Sequence, residues 1–180
     1  MKMIIHKLFW AWSFEKEERW LNEMSNKGWQ LSDVGVCRYT FEEGLPGEYV
    51  YRLEMLNNLP KHPESVHYIR FIEDTGAEHV GSLLRWVYFR KKAGENGFDL
   101  FSDIDSRIKH LNGILVLVGF VFGVILLSGI YYMLAWLSHG AQFNIVSGII
   151  CLIVGLGIGY GFVHLFLQKR RLEKEKILHE

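Results

Sequence analysis

The sequence predicts an α+β domain at the amino terminus, followed by a hairpin of two membrane-spanning helices. The 180-residue chain carries 20 basic and 20 acidic residues, but the 57 residues from Leu111 to Leu167 contain none of them. Before that segment, stretches that alternate between polar and apolar residues are interleaved with stretches of helical periodicity. An apolar content of 49% and only two cysteines exclude a disordered chain and a disulfide-rich secreted domain. A net charge of zero excludes a strongly basic nucleic-acid binder.

The first half of the domain is predicted to contain a strand, a helix and a second strand. Residues 4–12 are rich in aromatic side chains and alternate loosely, which is typical of a strand. Ser13 is expected to cap a helix that has apolar residues at helical spacing and ends at Gly28. Residues 29–42 predict the second strand, in which we interpret Cys37 as a small core residue.

The second half of the domain is also predicted to contain a strand, a helix and a strand. No internal repeat is evident in the amino-acid sequence. Residues 48–56 alternate as a half-buried strand, and a helix is expected from Pro63 to a stop at Gly76. Residues 78–92 predict the last strand. The order β-α-β-β-α-β over residues 1–95 is that of the ferredoxin-like fold, in which two helices cover one face of a four-stranded antiparallel sheet and leave the other face open.

Two apolar runs follow, at residues 111–137 and 143–167, and each exceeds the ~20 residues that a helix needs to cross a hydrocarbon core. The short connection between them predicts a transmembrane hairpin. Basic residues precede the first run and recur in the tail at residues 168–180, whereas the connection has none. The positive-inside bias therefore predicts a multi-pass membrane protein with both termini in the cytoplasm.

Residues 96–110 have apolar side chains at helical spacing and predict an amphipathic juxtamembrane helix. This helix is either a plain interfacial tether, which we favour, or a rigid connection that passes motion between domain and membrane.

Four glycines in the apolar runs have the spacing of helix-packing positions, since small residues four apart let helix backbones approach closely. The alternative is that glycine is simply common in membrane helices. The candidate helix-packing residues are Gly119, Gly123, Gly155 and Gly159.

The motifs of known chemistry are missing from the sequence. The GLGIGYG run at residues 155–161 lies inside an apolar helix rather than after a strand, so we reject it as a phosphate site. His62 and His67 are five residues apart and do not share a helical face, so we interpret them as exposed or helix-capping side chains rather than metal ligands. We expect no enzyme, no cofactor and no metal.

Four charged residues fall among aromatic side chains on the predicted strands, and alternation places some of them on the open sheet face. One interpretation is a docking surface for an anion, a peptide or RNA; the other, which we favour, is cross-strand ion pairing on a solvated face. An RNA-binding motif is missing and residues 1–110 have a net charge of −2, so we expect no nucleic-acid partner. The candidate docking residues are Arg38, Arg52, Glu54 and Arg85.

Several runs of the sequence together resemble one family over residues 9–110. They are FEKEERWLNEMSNKGWQL, YVYRLEML, PKHPESVHYIRFIEDTGAEHVG, and RWVYFRKK followed by FDLFSDIDSRIKH. The family consists of uncharacterised membrane proteins of the Bacillota, with a cytoplasmic α+β domain of unknown function and two transmembrane helices, often encoded beside PadR-like transcriptional regulators. The resemblance brings no catalytic residues, and it implies a regulatory or signalling role.

Three hypotheses about function follow from these observations. The first is a membrane-anchored regulatory or sensory module, whose cytoplasmic domain binds a protein or a small ligand and is linked to a PadR-like regulator. The second is an accessory or immunity-type subunit of a membrane complex that acts through its hairpin. The third and least favoured is an enzyme of an unfamiliar kind. In the first two, the partners are the lipid bilayer and a protein, or a second copy that associates through the hairpin.

Overall fold

The computed structural model describes residues 1–94, 98, 104–139 and 142–179, and the chain forms two compact units, Met1–Ser102 and Asp103–Glu180. The first unit contains β1 (Lys2–His6), a 3-10 turn (Ala11–Ser13), α1 (Phe14–Asn26), β2 (Trp29–Gly35), β3 (Arg38–Glu43), β4 (Tyr49–Met55), α2 (Pro63–Asp74), β5 (Glu78–Leu83) and β6 (Trp86–Lys92). The second contains α3 (Ile104–His139) and α4 (Gln142–His179). The predicted α+β domain with two long apolar helices after it is confirmed.

The strands form two three-stranded antiparallel sheets, with the orders β1-β3-β2 and β4-β6-β5, instead of one four-stranded sheet. The segments 29–42 and 78–92, each predicted as a single strand, both fold back through a two-residue turn. These turns contain Cys37 and Leu84 at φ values of 54° and 56°, a conformation that glycine or asparagine usually supplies. Because neither residue is typical of a turn, the alternation of polar and apolar residues continues through both turns and predicts one strand in each segment. Cys37 is thus a half-buried turn residue and not, as predicted, a core residue within a strand.

The two sheets have the same topology, and equivalent positions in the two halves are 48 residues apart in the sequence. Each half contains a strand, a helix and a hairpin, and the last strand inserts between the first two. The helices stop at Gly28 and Gly76, with φ values of 83° and 86°, and the hairpins have register shifts at Ser32 and Val80. The buried helix residues correspond in the same way, Leu21 with Ile69 and Met24 with Ile72. Each half is the split βαβ unit of the ferredoxin-like fold, and the chain forms it twice.

The central strand of the second sheet, β6, is buried on both faces. Val87, Tyr88 and Phe89 follow each other at 0%, 3% and 0% exposure. Because side chains alternate across a strand, Tyr88 belongs to a different core from its two neighbours. The larger core joins α1, the first sheet and one face of the second sheet, and the smaller core joins α2 and Phe98 to the other face.

The helix ends follow local rules in part. Pro63 occupies the first turn of α2 as predicted, and the preceding His62 accepts a hydrogen bond from the Glu64 N–H at 3.4 Å. Ser13 lies at the N-cap position of α1, but its side chain makes no capping hydrogen bond. The 3-10 turn before it explains this, since it places Ser13 outside the extended conformation that a capping serine needs.

The second unit consists of two helices that pack against each other. Each is long and apolar enough to cross a membrane, over Arg107–Ser138 and Ile145–Lys174. Only 22% and 17% of their most apolar stretches are buried, which is unlike the core helix of a water-soluble protein. α3 runs from Ile104 into the apolar segment without a break.

Candidate interaction surfaces

The structure does not bring the four candidate docking residues together. Arg38 lies on β3 and forms an exposed ion pair with Asp33, at 3.1 Å between Nη2 and Oδ2. Arg85 lies in the β5–β6 turn, where its Nε–H donates to the Leu56 carbonyl at 2.7 Å. Arg38 therefore braces the β2–β3 turn, and Arg85 connects the β5–β6 turn to the residue that follows β4.

Arg52 and Glu54 lie on the same side of β4, but each is engaged by a helix. Arg52 pairs with Glu18 of α1 at 3.2 Å, and the Tyr68 hydroxyl of α2 donates to Glu54 at 2.7 Å. Burial raises the pKa of Glu54, and the bond from Tyr68 opposes this shift. Since both faces of this sheet are covered, the two residues contribute to packing between layers rather than to an open face.

Helix α1 covers the outer edge of β4 with a row of polar side chains, which we call the polar ladder (Glu18, Asn22 and Ser25). The Ser25 hydroxyl donates to the Tyr49 carbonyl at 2.6 Å. The Asn22 amide both donates to the Tyr51 carbonyl, at 3.1 Å, and accepts from its N–H, at 2.8 Å. The Glu18 carboxylate accepts from the N–H of the strand residue two further along, Leu53, at 3.1 Å. Every second residue of the strand edge, from Tyr49 to Leu53, is thus hydrogen-bonded to a side chain on two successive turns of the helix.

A buried carboxyl group joins α1 to both sheets. Glu17 is 7% exposed, and its Oε1 accepts hydrogen bonds of 2.6 Å from the hydroxyls of Tyr39 on β3 and Tyr88 on β6. Burial raises the pKa of Glu17, and the two hydroxyl bonds reduce that shift. Burial and the neighbouring carboxylate likewise raise the pKa of both tyrosines. The Glu17 carboxyl group can therefore gain or lose a proton at the point where the two sheets meet.

Residues 7–12 between β1 and α1, here called the aromatic connector, form an exposed apolar surface on the first unit. Leu8 is 60% and Trp10 55% exposed, and the rings of Trp10 and Trp12 stack at 5.0 Å with planes 7° apart. Phe9 turns the other way and contacts Trp20 at 5.5 Å between ring centroids. The sequence showed the aromatic richness of this segment but assigned it to a strand, because loose alternation occurs in both cases.

Three of the four candidate packing glycines lie where α3 meets α4. A Cβ atom on Gly119 would lie 3.1 Å from Phe162, one on Gly155 3.6 Å from Ile125, and one on Gly159 3.0 Å from Phe122. A Cβ on Gly123 would meet nothing within 4 Å. A side chain would therefore be crowded at Gly119 and Gly159, whereas it would make an ordinary contact at Gly155 and meet open space at Gly123.

Comparison with known proteins gives a family for the chain. A family model described as "Protein of unknown function (DUF2812)" matches residues 13–122, which is more than half of the sequence. The chain belongs to the DUF2812 family. No curated protein and no solved structure is significantly similar to it.

The DUF2812 match begins at Ser13 and ends at Phe122, inside α3. It includes the polar ladder, the Glu17 cluster and both sheets apart from β1. The aromatic connector and the whole of α4 lie outside it. The family model therefore describes a folded α+β unit together with the beginning of an apolar helix.

The described part of this DUF2812 chain has no group of three or more histidine, cysteine or acidic side chains placed to hold a metal ion. His62 is used for capping α2, and His67 on the same helix is exposed. The thiols of Cys37 and Cys151 are both free and lie in different units.

Proposed function

We propose that the chain is a membrane-anchored regulatory or sensory module, which binds a protein or a small ligand through its N-terminal unit and is not an enzyme. The observation that supports this best is the joining of a folded α+β unit to two helices long enough to span a membrane. The four charged side chains predicted to form a docking face are engaged in internal bonds, so the binding surface is expected elsewhere on the N-terminal unit.

The resemblance adds a cellular setting to this proposal. We propose that the chain works with a PadR-like transcriptional regulator in a bacterium of the Bacillota, and that both of its termini are cytoplasmic. A reporter fused after Glu180 should then read as cytoplasmic, and a Ser138→Cys variant should react with a membrane-impermeant maleimide added to intact cells. The opposite pair of results would contradict this orientation.

Site-specific photo-crosslinking in living cells tests the binding role. A photoreactive amino acid is placed in the full chain at Val36 or Leu84, the hairpin tips, which are 78% and 77% exposed. Matched positions on the apolar helices are Leu127 and Leu156, at 69% and 77% exposure. The proposal expects one defined adduct from at least one hairpin tip, together with a changed expression of the regulator's target genes when the chain is deleted. No adduct from the tips and unchanged expression would contradict it.

An accessory or immunity-type subunit of a membrane complex is the second candidate, and the exposed apolar surface of α3 and α4 favours it. In that case adducts should arise from Leu127 or Leu156 and not from the hairpin tips. The substitution Gly159→Leu should abolish function, whereas Gly157→Leu, at a position with nothing within 4 Å of a Cβ, should preserve it. Complementation of a deletion strain by residues 1–102 alone would contradict this candidate.

A further inference from the structure

The aromatic connector is exposed although its backbone is held in place. The Lys7 N–H donates to the Cys37 carbonyl at 3.1 Å, and the Ser13 N–H donates to the Trp10 carbonyl at 2.7 Å. Phe9, between these two bonds, packs into the larger core against Trp20. The chain is therefore fixed on both sides of Leu8 and Trp10, and it holds their side chains outward.

The chemistry of this surface suits the boundary between lipid and water. A leucine and two stacked indole rings provide apolar area, and each indole also carries an N–H donor. Tryptophan is enriched at the headgroup level of membranes because one part of the ring is apolar and the other is polar. Lys7, at the start of the segment, is exposed, and its ammonium lies over the rings of Phe9 and Trp20 at 4.9 and 4.5 Å from their centroids. Its positive charge favours an anionic lipid surface.

We propose that the aromatic connector lies on the headgroup layer of the same bilayer that holds α3 and α4. The first unit ends at Ser102 and the first candidate span begins at Arg107, so a short length of chain separates the folded unit from the lipid surface. Such a tether gives the surface a high effective concentration, at which even a weak contact is populated. This inference rests on the membrane insertion in the proposed function and is independent of the partner.

Spin labels on the full chain in lipid nanodiscs test the contact. The native cysteines are changed to serine, and single cysteines are introduced at Leu8, Leu84 or Leu127 in phosphatidylcholine with phosphatidylglycerol. Leu84 is the matched control, because it is also an exposed leucine of the first unit but lies in a hairpin turn, at 77% exposure. Leu127, on α3, is the reference for a lipid-facing position and is 69% exposed. The measurement is the accessibility of each label to oxygen, which concentrates in lipid, and to a nickel chelate, which stays in water.

The proposal expects oxygen accessibility to exceed nickel accessibility at Leu8 and Leu127, and the reverse at Leu84. Replacing Trp10 and Trp12 by serine should move the Leu8 label towards the nickel-accessible result and leave Leu84 unchanged. A Leu8 label as nickel-accessible as Leu84 would overturn the proposal. A Leu8 label shielded from both reagents would also overturn it, and a spin–spin distance that disappears on dilution with unlabelled protein would then assign the surface to a second copy. A nickel-accessible Leu127 label would instead contradict the membrane insertion itself.

Discussion

At Glu17 a single side chain connects a helix to two sheets. This role is not evident from the sequence, because Glu17 lies with Glu15 in the first turn of α1, where acidic residues are expected to face solvent and to interact favourably with the helix dipole. Only the packing of β3 and β6 against α1 brings Tyr39 and Tyr88 to the same oxygen.

The protonation of Glu17 is expected to make the stability of the first unit depend on pH. Burial raises the pKa of Glu17 above its ordinary value of 4.5 in the folded chain, so folding favours the protonated form. The stabilisation is complete below pH 4.5 and is lost as the pH rises through the folded pKa. Glu17→Gln keeps an acceptor oxygen without a titration. Thermal unfolding followed by tryptophan fluorescence, from pH 4 to 8, should show a smaller decrease in melting temperature for this variant than for the wild type. Parallel curves would contradict the assignment.

Gly81 is required where the two repeats touch. A Cβ atom there would lie 2.9 Å from Val34 Cγ1, and valine is too stiff to move aside freely. We expect Gly81→Ala to destabilise the folded unit by ~1–3 kcal/mol through overpacking, as measured by chemical denaturation. The control is Gly35→Ala, whose Cβ would lie 3.6 Å from the flexible Arg38 side chain and should be nearly neutral. Equal effects of the two substitutions would argue against a close contact of β2 with β5.

At the scale of elements, the polar ladder replaces a missing strand. β4 is an edge strand, and exposed edges are sites at which a sheet pairs with other chains. Residues 18, 22 and 25 are spaced as one face of a helix, which is visible in the sequence, but nothing in the sequence shows that a strand edge lies opposite that face.

Removing the central residue of the ladder should be costly. Asn22→Ala leaves the N–H of the buried Tyr51 without its side-chain acceptor, whereas the Tyr51 carbonyl keeps the hydrogen bond that Arg52 Nη1 donates at 3.0 Å. For the unsatisfied N–H we expect a loss of ~1–3 kcal/mol in the free energy of unfolding. Glu23→Ala changes the exposed neighbour on the same helix and should stay within ~0.5 kcal/mol of the wild type. A similar stability of both variants in a denaturant titration would contradict the ladder.

The predictability of the elements depended on whether a residue marks their ends. Gly28, Pro63 and Gly76 have conformational preferences that point to one structure, and the helices begin or end there as expected. The turns at Cys37 and Leu84 carry no such mark, so two hairpins were each predicted as one strand. The pairing of the flanking strands holds these two residues in a conformation that their own preferences disfavour.

The repeat of 48 residues shows at the scale of the whole molecule why this fold was only partly predictable. Equivalent positions share burial rather than identity, as with Met24 and Ile72 or with the glutamate at 17 and the buried Ser65. A comparison of the amino-acid identities of the two halves therefore detects no repeat. In contrast, the lack of charged residues over residues 111–167 is evident in the sequence and predicts the two long helices.

The contact between α3 and α4 can be tested by a disulfide. A Cβ atom on Gly129 would lie 3.5 Å from that of Cys151, within the ~3.5–4.5 Å that a disulfide requires. Gly129→Cys in a Cys37→Ser background should lose both thiols on mild oxidation, as counted by a maleimide that shifts the protein on a gel. Gly123→Cys in the same background should keep both thiols, because a Cβ atom at this position would have nothing within 4 Å. Thiols that stay reactive in both variants would contradict the hairpin.

The position of the polar ladder also sets an order of events during synthesis. The amino-terminal repeat emerges from the ribosome before β4 does, so α1 is exposed ahead of the strand edge that it covers. Its larger core is completed only when β6 follows, because Tyr88 belongs to that core. Contacts this distant in sequence form slowly. The nascent first repeat thus stays incomplete until its second half arrives, and the apolar helices come next in the chain.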